Sequence, residues 1–178
     1  MSKSILFGIV LLLATNCQRI EVFPDEPSLS FISVIVKDSS DILDNPIKYV
    51  KLTFQVIDGN GDIGLNDDDT TGPFHRDSQY YYNLFIREYE KIGDTLIEVT
   101  EVEFPRNYRI PDLTPAGQNK TLKAEISIEM EYRYSDANPL PFKEFKYFYY
   151  LIDRELNKSN TDTSTLVIFQ LRGTRQRK

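Results

Sequence analysis

A chain of 178 residues with 40% hydrophobic and 12% aromatic content has the material for one domain with a sizeable core, and its formal net charge of -6 disfavours nucleic acid as a partner. A single cysteine excludes an internal disulfide, and with only one histidine beside it there is no Cys/His cluster for zinc. Tyr and Phe supply 11 residues each and Trp none, so packing of these two ring types is expected to dominate the interior.

The chain opens with Lys3 and an apolar run over residues 5–14, then a short polar stretch ending at Cys17. That layout is a secretory signal, because a membrane span needs roughly 18 apolar residues. Residues 11–17, Leu11-Leu12-Leu13-Ala14-Thr15-Asn16-Cys17, resemble the bacterial lipoprotein signal, with Ala14 and Asn16 in place of its usual Leu and small residue. The resemblance implies removal of residues 1–16 and acylation of Cys17 on its sulfur and amine, making outer-membrane lipid its partner; two or more chains suffice for stable anchoring. The residues alone also fit an ordinary secretory peptide followed by a free thiol. Cleavage leaves 162 residues with a net charge of -7. Residues 17–28 then read as a lipidated tether containing Pro24 and Pro27, whose eleven residues after the cysteine span at most about 38 Å.

Beyond the tether, period-two alternation recurs between Asp, Asn, Gly and Pro clusters. Val50, Leu52, Phe54 and Val56 alternate with polar residues, and so do Leu122, Ala124, Ile126, Ile128 and Met130. Further strands are expected over 29–36, 80–89, 95–104, 145–152 and 164–171, with no helix. The pattern predicts an all-β fold, an antiparallel immunoglobulin-like β-sandwich of about seven to eight strands forming one domain over 29–178. Residues 105–120 are a long irregular connection in which Tyr108 and Ile110 are placed to add an edge strand.

The most specific chemistry lies at residues 58–69, DGNGDIGLNDDD. Asp58, Asn60 and Asp62 stand at alternate positions, as in calcium loops of the D-x-N-x-D type, where three side chains converge on one hard cation. Continuing that count places Gly64 at the backbone-carbonyl position, Asn66 at the ninth and Asp69 at the twelfth. Ile63 replaces the usual sixth-position glycine, and a strand precedes the loop, so this is not an EF-hand. An acidic hairpin turn fits the same Asp-Gly and Asn-Gly pairs, although five carboxylates in twelve residues repel one another unless neutralised.

Cys17, the acidic proline-containing stretch 24–27, the loop 58–65, the strand Tyr82-Asn83-Leu84-Phe85-Ile86 and the closing turn over 153–159 together resemble small outer-membrane lipoproteins of the Bacteroidota that carry immunoglobulin-like or cadherin-like domains. The resemblance implies compartment and fold more than role. The tether lacks the dense acidic run after the cysteine that in this family favours surface export, so the periplasmic and cell-surface sides both stay open. In an immunoglobulin-like order the loop after the second strand and the loop before the last share one end of the sandwich. Asp153, Asn157 or Asn160 would then supply oxygens to the acidic loop, making calcium a clamp between loops on the anchored side. The cationic tail of Arg172, Arg175, Arg177 and Lys178 would sit at the far end.

No serine or cysteine triad is legible, whereas carboxylate pairs of the kind used in glycoside hydrolysis stay open in so acidic a chain. His75 lies in a polar loop, and no serine occupies a Gly-x-Ser-x-Gly turn. Aromatic runs at residues 80–82 and 147–150 exceed what one core face hides, which marks Tyr80, Tyr82, Tyr147 and Tyr149 as a candidate interaction surface or as packing beneath the 105–120 connection. The expected role is a non-catalytic accessory or interaction subunit with a protein partner in the envelope; the alternative is a surface module binding glycan or another nutrient.

Overall fold

A computed structural model describes residues 21–100, 105–135, 137, 139–140 and 142–170. The apolar run expected to be a signal, Cys17 and the basic residues after 170 lie outside the described residues. The architecture is all-β: β1 (Ser28–Ser40), β2 (Pro46–Asp58), β3 (Leu84–Ile92), β4 (Thr95–Glu98), β5 (Arg106–Tyr108), β6 (Leu122–Arg133), β7 (Glu144–Leu151), β8 (Asp162–Thr163) and β9 (Val167–Ile168), with one short 3-10 turn at Gly72–Phe74. One sheet has the order β1-β2-β6; the other has β4-β3-β7-β8, with β5 also on β3 and β9 also on β7. Every strand pairing is antiparallel.

Among the described residues, nine strands occupy seven rows. β4 and β5 pair with different stretches of β3, Tyr89–Ile92 and Leu84–Ile86, and β8 and β9 do the same along β7. Of the expected final strand over 164–171, only Val167–Ile168 is a strand among the described residues, and a second short piece, Asp162–Thr163, lies just before that range. The expected strand at 80–89 begins only at Leu84. First-second-sixth facing fourth-third-seventh-eighth follows the plan of an immunoglobulin sandwich.

Alternation explains which face each strand buries. In β2, Val50, Leu52, Phe54 and Val56 are fully buried, and in β6 Leu122, Ile126, Ile128, Met130 and Tyr132 point inward while Lys123, Glu125, Glu129 and Glu131 face water. β7 contributes Phe145, Tyr147, Tyr149 and Leu151 to the same interior. The sheets meet through contacts such as Phe54 against Tyr149, ring centroids 4.8 Å apart. Each such side chain stabilises the fold by about 1.5–3 kcal/mol through burial.

Strand direction sorts the loops between two ends. β1 starts, β2 ends, β6 starts and β7 ends at one end, which therefore carries the segment before β1, the 58–83 loop, the 108–121 connection and the 152–161 loop. The hairpin tip at 41–45 lies at the opposite end. The last described residues lie there too: the Phe169 amide donates to the Lys143 carbonyl, and Lys48 donates to the Gln170 carbonyl.

Candidate metal centre

The inward stripe of β2 runs Val50, Leu52, Phe54, Val56 and then Asp58; that of β7 runs Phe145, Tyr147, Tyr149, Leu151 and then Asp153. Both strands thus deliver a carboxylate to the next inward position at the same end of the core. Asp58 is 0% and Asp153 2% exposed. Asp62, folded back by the turn after β2, completes a trio whose carboxylate oxygens lie within 4.8 Å of one another.

Hydrogen bonds fix this geometry and leave part of it unused. Asp58 Oδ2 accepts the Asp62 amide at 3.0 Å, and Asp62 Oδ2 accepts the Glu155 amide at 3.1 Å. Asp153 accepts the Asn157 amide at 2.8 Å and its side-chain Nδ2 at 2.9 Å. Asp58 Oδ1 and Asp62 Oδ1 are buried and have no hydrogen-bond partner. None of the ion pairs among the described residues involves these three carboxylates. Two unit charges at this spacing repel by about 3 kcal/mol at an effective dielectric of 20. Burial, reinforced by the Asp62 and Asp153 charges and opposed by the Asp62 amide, pushes the Asp58 carboxyl up to about 7. Burial also raises Asp153, against the pull of the Asn157 hydrogen bonds.

Such a site needs a proton or a cation. Oxygens around calcium lie 2.3–2.6 Å from it, hence at most roughly 5 Å apart, so these carboxylates are spaced to share one ion. Gly59, Asn60 and Gly61 link the two carboxylates of the loop, and Asn60 Oδ1 makes only a long 3.4 Å contact with the Asp62 amide.

The second half of the expected twelve-residue loop goes elsewhere. Ile63 and Leu65 drop into the interior, where the Leu113 amide donates to the Ile63 carbonyl and the Leu65 amide to the Ile110 carbonyl, both at 2.9 Å. Gly64, at φ 97°, passes so close to Pro111 that a side chain there would collide with its carbonyl. This pairing carries the following residues away from Asp58. Asp69 Oδ2 accepts the Asn66 amide at 2.7 Å, closing a separate turn, and Arg109 caps it by donating to the carbonyls of Asn66 and Asp69. Asn66 and Asp69 thus stand apart from the trio, whereas Asp153 joins Asp58 and Asp62.

The aromatic surface needs a correction. Tyr147 and Tyr149 are 0% exposed, because Phe145, Leu151 and Asp153 set the inward parity of β7 and its continuation. The outward members are Phe148 and Tyr150. Phe148 packs on Tyr89 at 4.3 Å, Tyr150 stacks on Phe85 at 4.9 Å, and Lys158 lies 3.8 Å over the Tyr150 ring. Tyr80 is half-buried and Tyr82 exposed, in the loop that leads into β3.

Two arrangements carried weaker sequence signals. Asn83 holds the 105–120 connection, donating to the Ile110 carbonyl at 3.1 Å and accepting its amide at 2.6 Å. Glu88 is buried inside the sandwich, where it accepts from Arg106 and from the Tyr132 hydroxyl, itself 2.7 Å from the Tyr147 hydroxyl. The inward parity of Glu88, two residues after Ile86, was its only sequence signal. Comparison with known proteins gives no match to a family, a curated protein or a solved structure.

Proposed function

We propose that the chain is a lipid-anchored, non-catalytic interaction subunit of the outer-membrane envelope whose sandwich is clamped at its anchored end by calcium held between Asp58, Asp62 and Asp153. The observation that carries the calcium reading is the convergence of three carboxylates from two loops to within 4.8 Å, with Asp58 Oδ1 and Asp62 Oδ1 buried and unpartnered. A hard cation satisfies those oxygens, neutralises the repulsion and ties the 58–62 turn to the β7–β8 loop. The lipid anchor rests on Cys17 at the end of its signal-like run.

A non-catalytic role is supported by the surroundings of His75. It sits on the exposed acidic loop with Nδ1 3.7 Å from Asp77, and Nδ1 accepts the Asp77 amide at 3.3 Å. The outer face of β3 and β7 suits protein contact, since Tyr89, Phe148 and Tyr150 form a row of half-covered rings beside the buried Phe85, bordered by Arg87, Lys146 and Lys158. The same row favours the second reading, a module stacking a glycan on its ring faces.

Thermal melting of the metal-stripped protein with and without calcium tests the clamp. A midpoint that rises with calcium, by about 2.7 kcal/mol of stabilisation at a hundredfold excess over Kd, is the expected result, and identical midpoints refute it. Co-purification in mild detergent and retention on a glycan array separate the two partner classes.

A further inference from the structure

The loop that carries Asp58 also holds the tether. The amide of Gly59, the next residue, donates to the Pro24 carbonyl at 2.8 Å. A Cβ on Gly59 would lie 2.5 Å from that oxygen, so the tether runs against the loop where only glycine leaves room. Two further contacts hold the same segment. Glu21 pairs with Lys123 at 3.1 Å, and the Lys123 ammonium lies 4.2 Å over the Phe23 ring. Pro27 is buried. The other loop of the acidic trio takes hold one turn further on. Asn160, in the segment that begins with Asp153, accepts the Leu29 amide at 2.7 Å and donates to the Leu29 carbonyl at 3.0 Å.

Both walls of the carboxylate trio therefore grip the N-terminal segment, one at Pro24 and one at Leu29. With the three charges unneutralised, the repulsion of Asp58, Asp62 and Asp153 pushes those walls apart; a cation between them draws both onto the tether. The surface ion pair of Glu21 contributes less than about 1 kcal/mol, too little to hold the segment alone.

We propose that calcium at Asp58, Asp62 and Asp153 locks residues 21–27 onto the domain, so that ion occupancy sets the free length of the tether. This rests on the calcium reading of the trio given above. With the segment docked, three residues separate Cys17 from Glu21, four residue steps with a reach of at most about 14 Å; with it released, the eleven steps to Ser28 reach about 38 Å. On a lipid-anchored chain the ion would hold the metal-binding end against the membrane surface, and its loss would let the domain swing outward.

The test uses the full mature chain carrying Cys17→Ser, with nitroxides on Val22→Cys in the tether and Leu43→Cys at the far hairpin tip, both exposed positions. The strand length between them places the labels about 40 Å apart, within range of pulsed electron–electron resonance. With calcium we expect one narrow distance distribution, and in stripped protein one at least twice as wide. Gly59→Ala, which keeps all three carboxylates, should bind calcium and stay wide, because its Cβ displaces the Pro24 carbonyl. Calorimetry on the same samples separates the two claims. Calcium binding with equal widths in its presence and absence, or a narrow distribution in Gly59→Ala, overturns the lock and leaves the metal site standing. Absence of calcium binding overturns both.

Discussion

Removing the Asp58 charge provides a quantitative prediction. Its carboxyl is held at about 7 in the metal-free fold against an ordinary value of 3.8. The folded state therefore retains a proton that the unfolded chain has released. By linkage, stability of the stripped protein is greatest near pH 4, falls as pH rises towards 7 and levels off above it. The difference of about three units corresponds to at most about 4 kcal/mol, reduced by whatever water reaches the site. For a domain of this size that amounts to roughly 10 °C in midpoint. Asp153 is raised too and acts in the same direction. Asp41 and Asp112 are lowered, chiefly by hydrogen bonds from Asn45 and Thr114; their stabilisation is present above 3.8 and lost below it, outside a scan from pH 5 to 8. Calorimetric melting of stripped wild-type and Asp58→Asn protein across that range is the assay. The wild type should lose midpoint with pH and the variant should lose much less. Calcium should suppress the wild-type loss by stabilising the ionised form. A flat wild-type profile, or a variant that keeps the full slope, would refute the assignment of the burial penalty to Asp58.

Three further outcomes follow from packing. Gly64→Ala should destabilise by more than about 2 kcal/mol in denaturant titration, since it adds a collision with Pro111 to the strain of φ 97°, whereas Gly72→Ala, at φ 58° with nothing within 4 Å, should lose only about 1 kcal/mol. Glu88→Gln should destabilise by about 3–5 kcal/mol because the Arg106 charge loses its partner in the interior; Tyr147→Phe should lose about 1 kcal/mol, and equal effects in urea melts would contradict the network. Tyr149→Ala should lose about 3–5 kcal/mol through the cavity it leaves, and the outward Phe148→Ala clearly less; the reverse ranking would restore the opposite parity for β7.

The strand pattern was legible because inward apolar residues repeat with period two for long stretches. β2 and β6 could be read almost residue by residue from Val50 to Val56 and from Leu122 to Met130. β7 was ambiguous for the opposite reason: Tyr147, Phe148, Tyr149 and Tyr150 are all aromatic, so only the flanking Phe145, Leu151 and Asp153 reveal its parity. In the acidic loop, the spacing of Asp58, Asn60 and Asp62 indicated convergence, and strand order placed Asp153 beside them. Asn66 and Asp69 close a turn of their own, which a linear count cannot see, because Leu65 pairs with Ile110 and Ile63 with Leu113, 45 and 50 residues away, and this turns the chain aside. The broken last strand and the grip of Gly59 on Pro24 are likewise tertiary, dictated by partners distant in sequence.

The central claim is that two loops share one cation, and isothermal titration of calcium into the metal-stripped full chain at pH 7.5 tests it most directly. The account predicts one calcium per chain, with binding weakened at least tenfold by Asp153→Asn and retained in Asp69→Asn. Absence of binding heat, or binding that survives Asp153→Asn and is lost in Asp69→Asn, would contradict it.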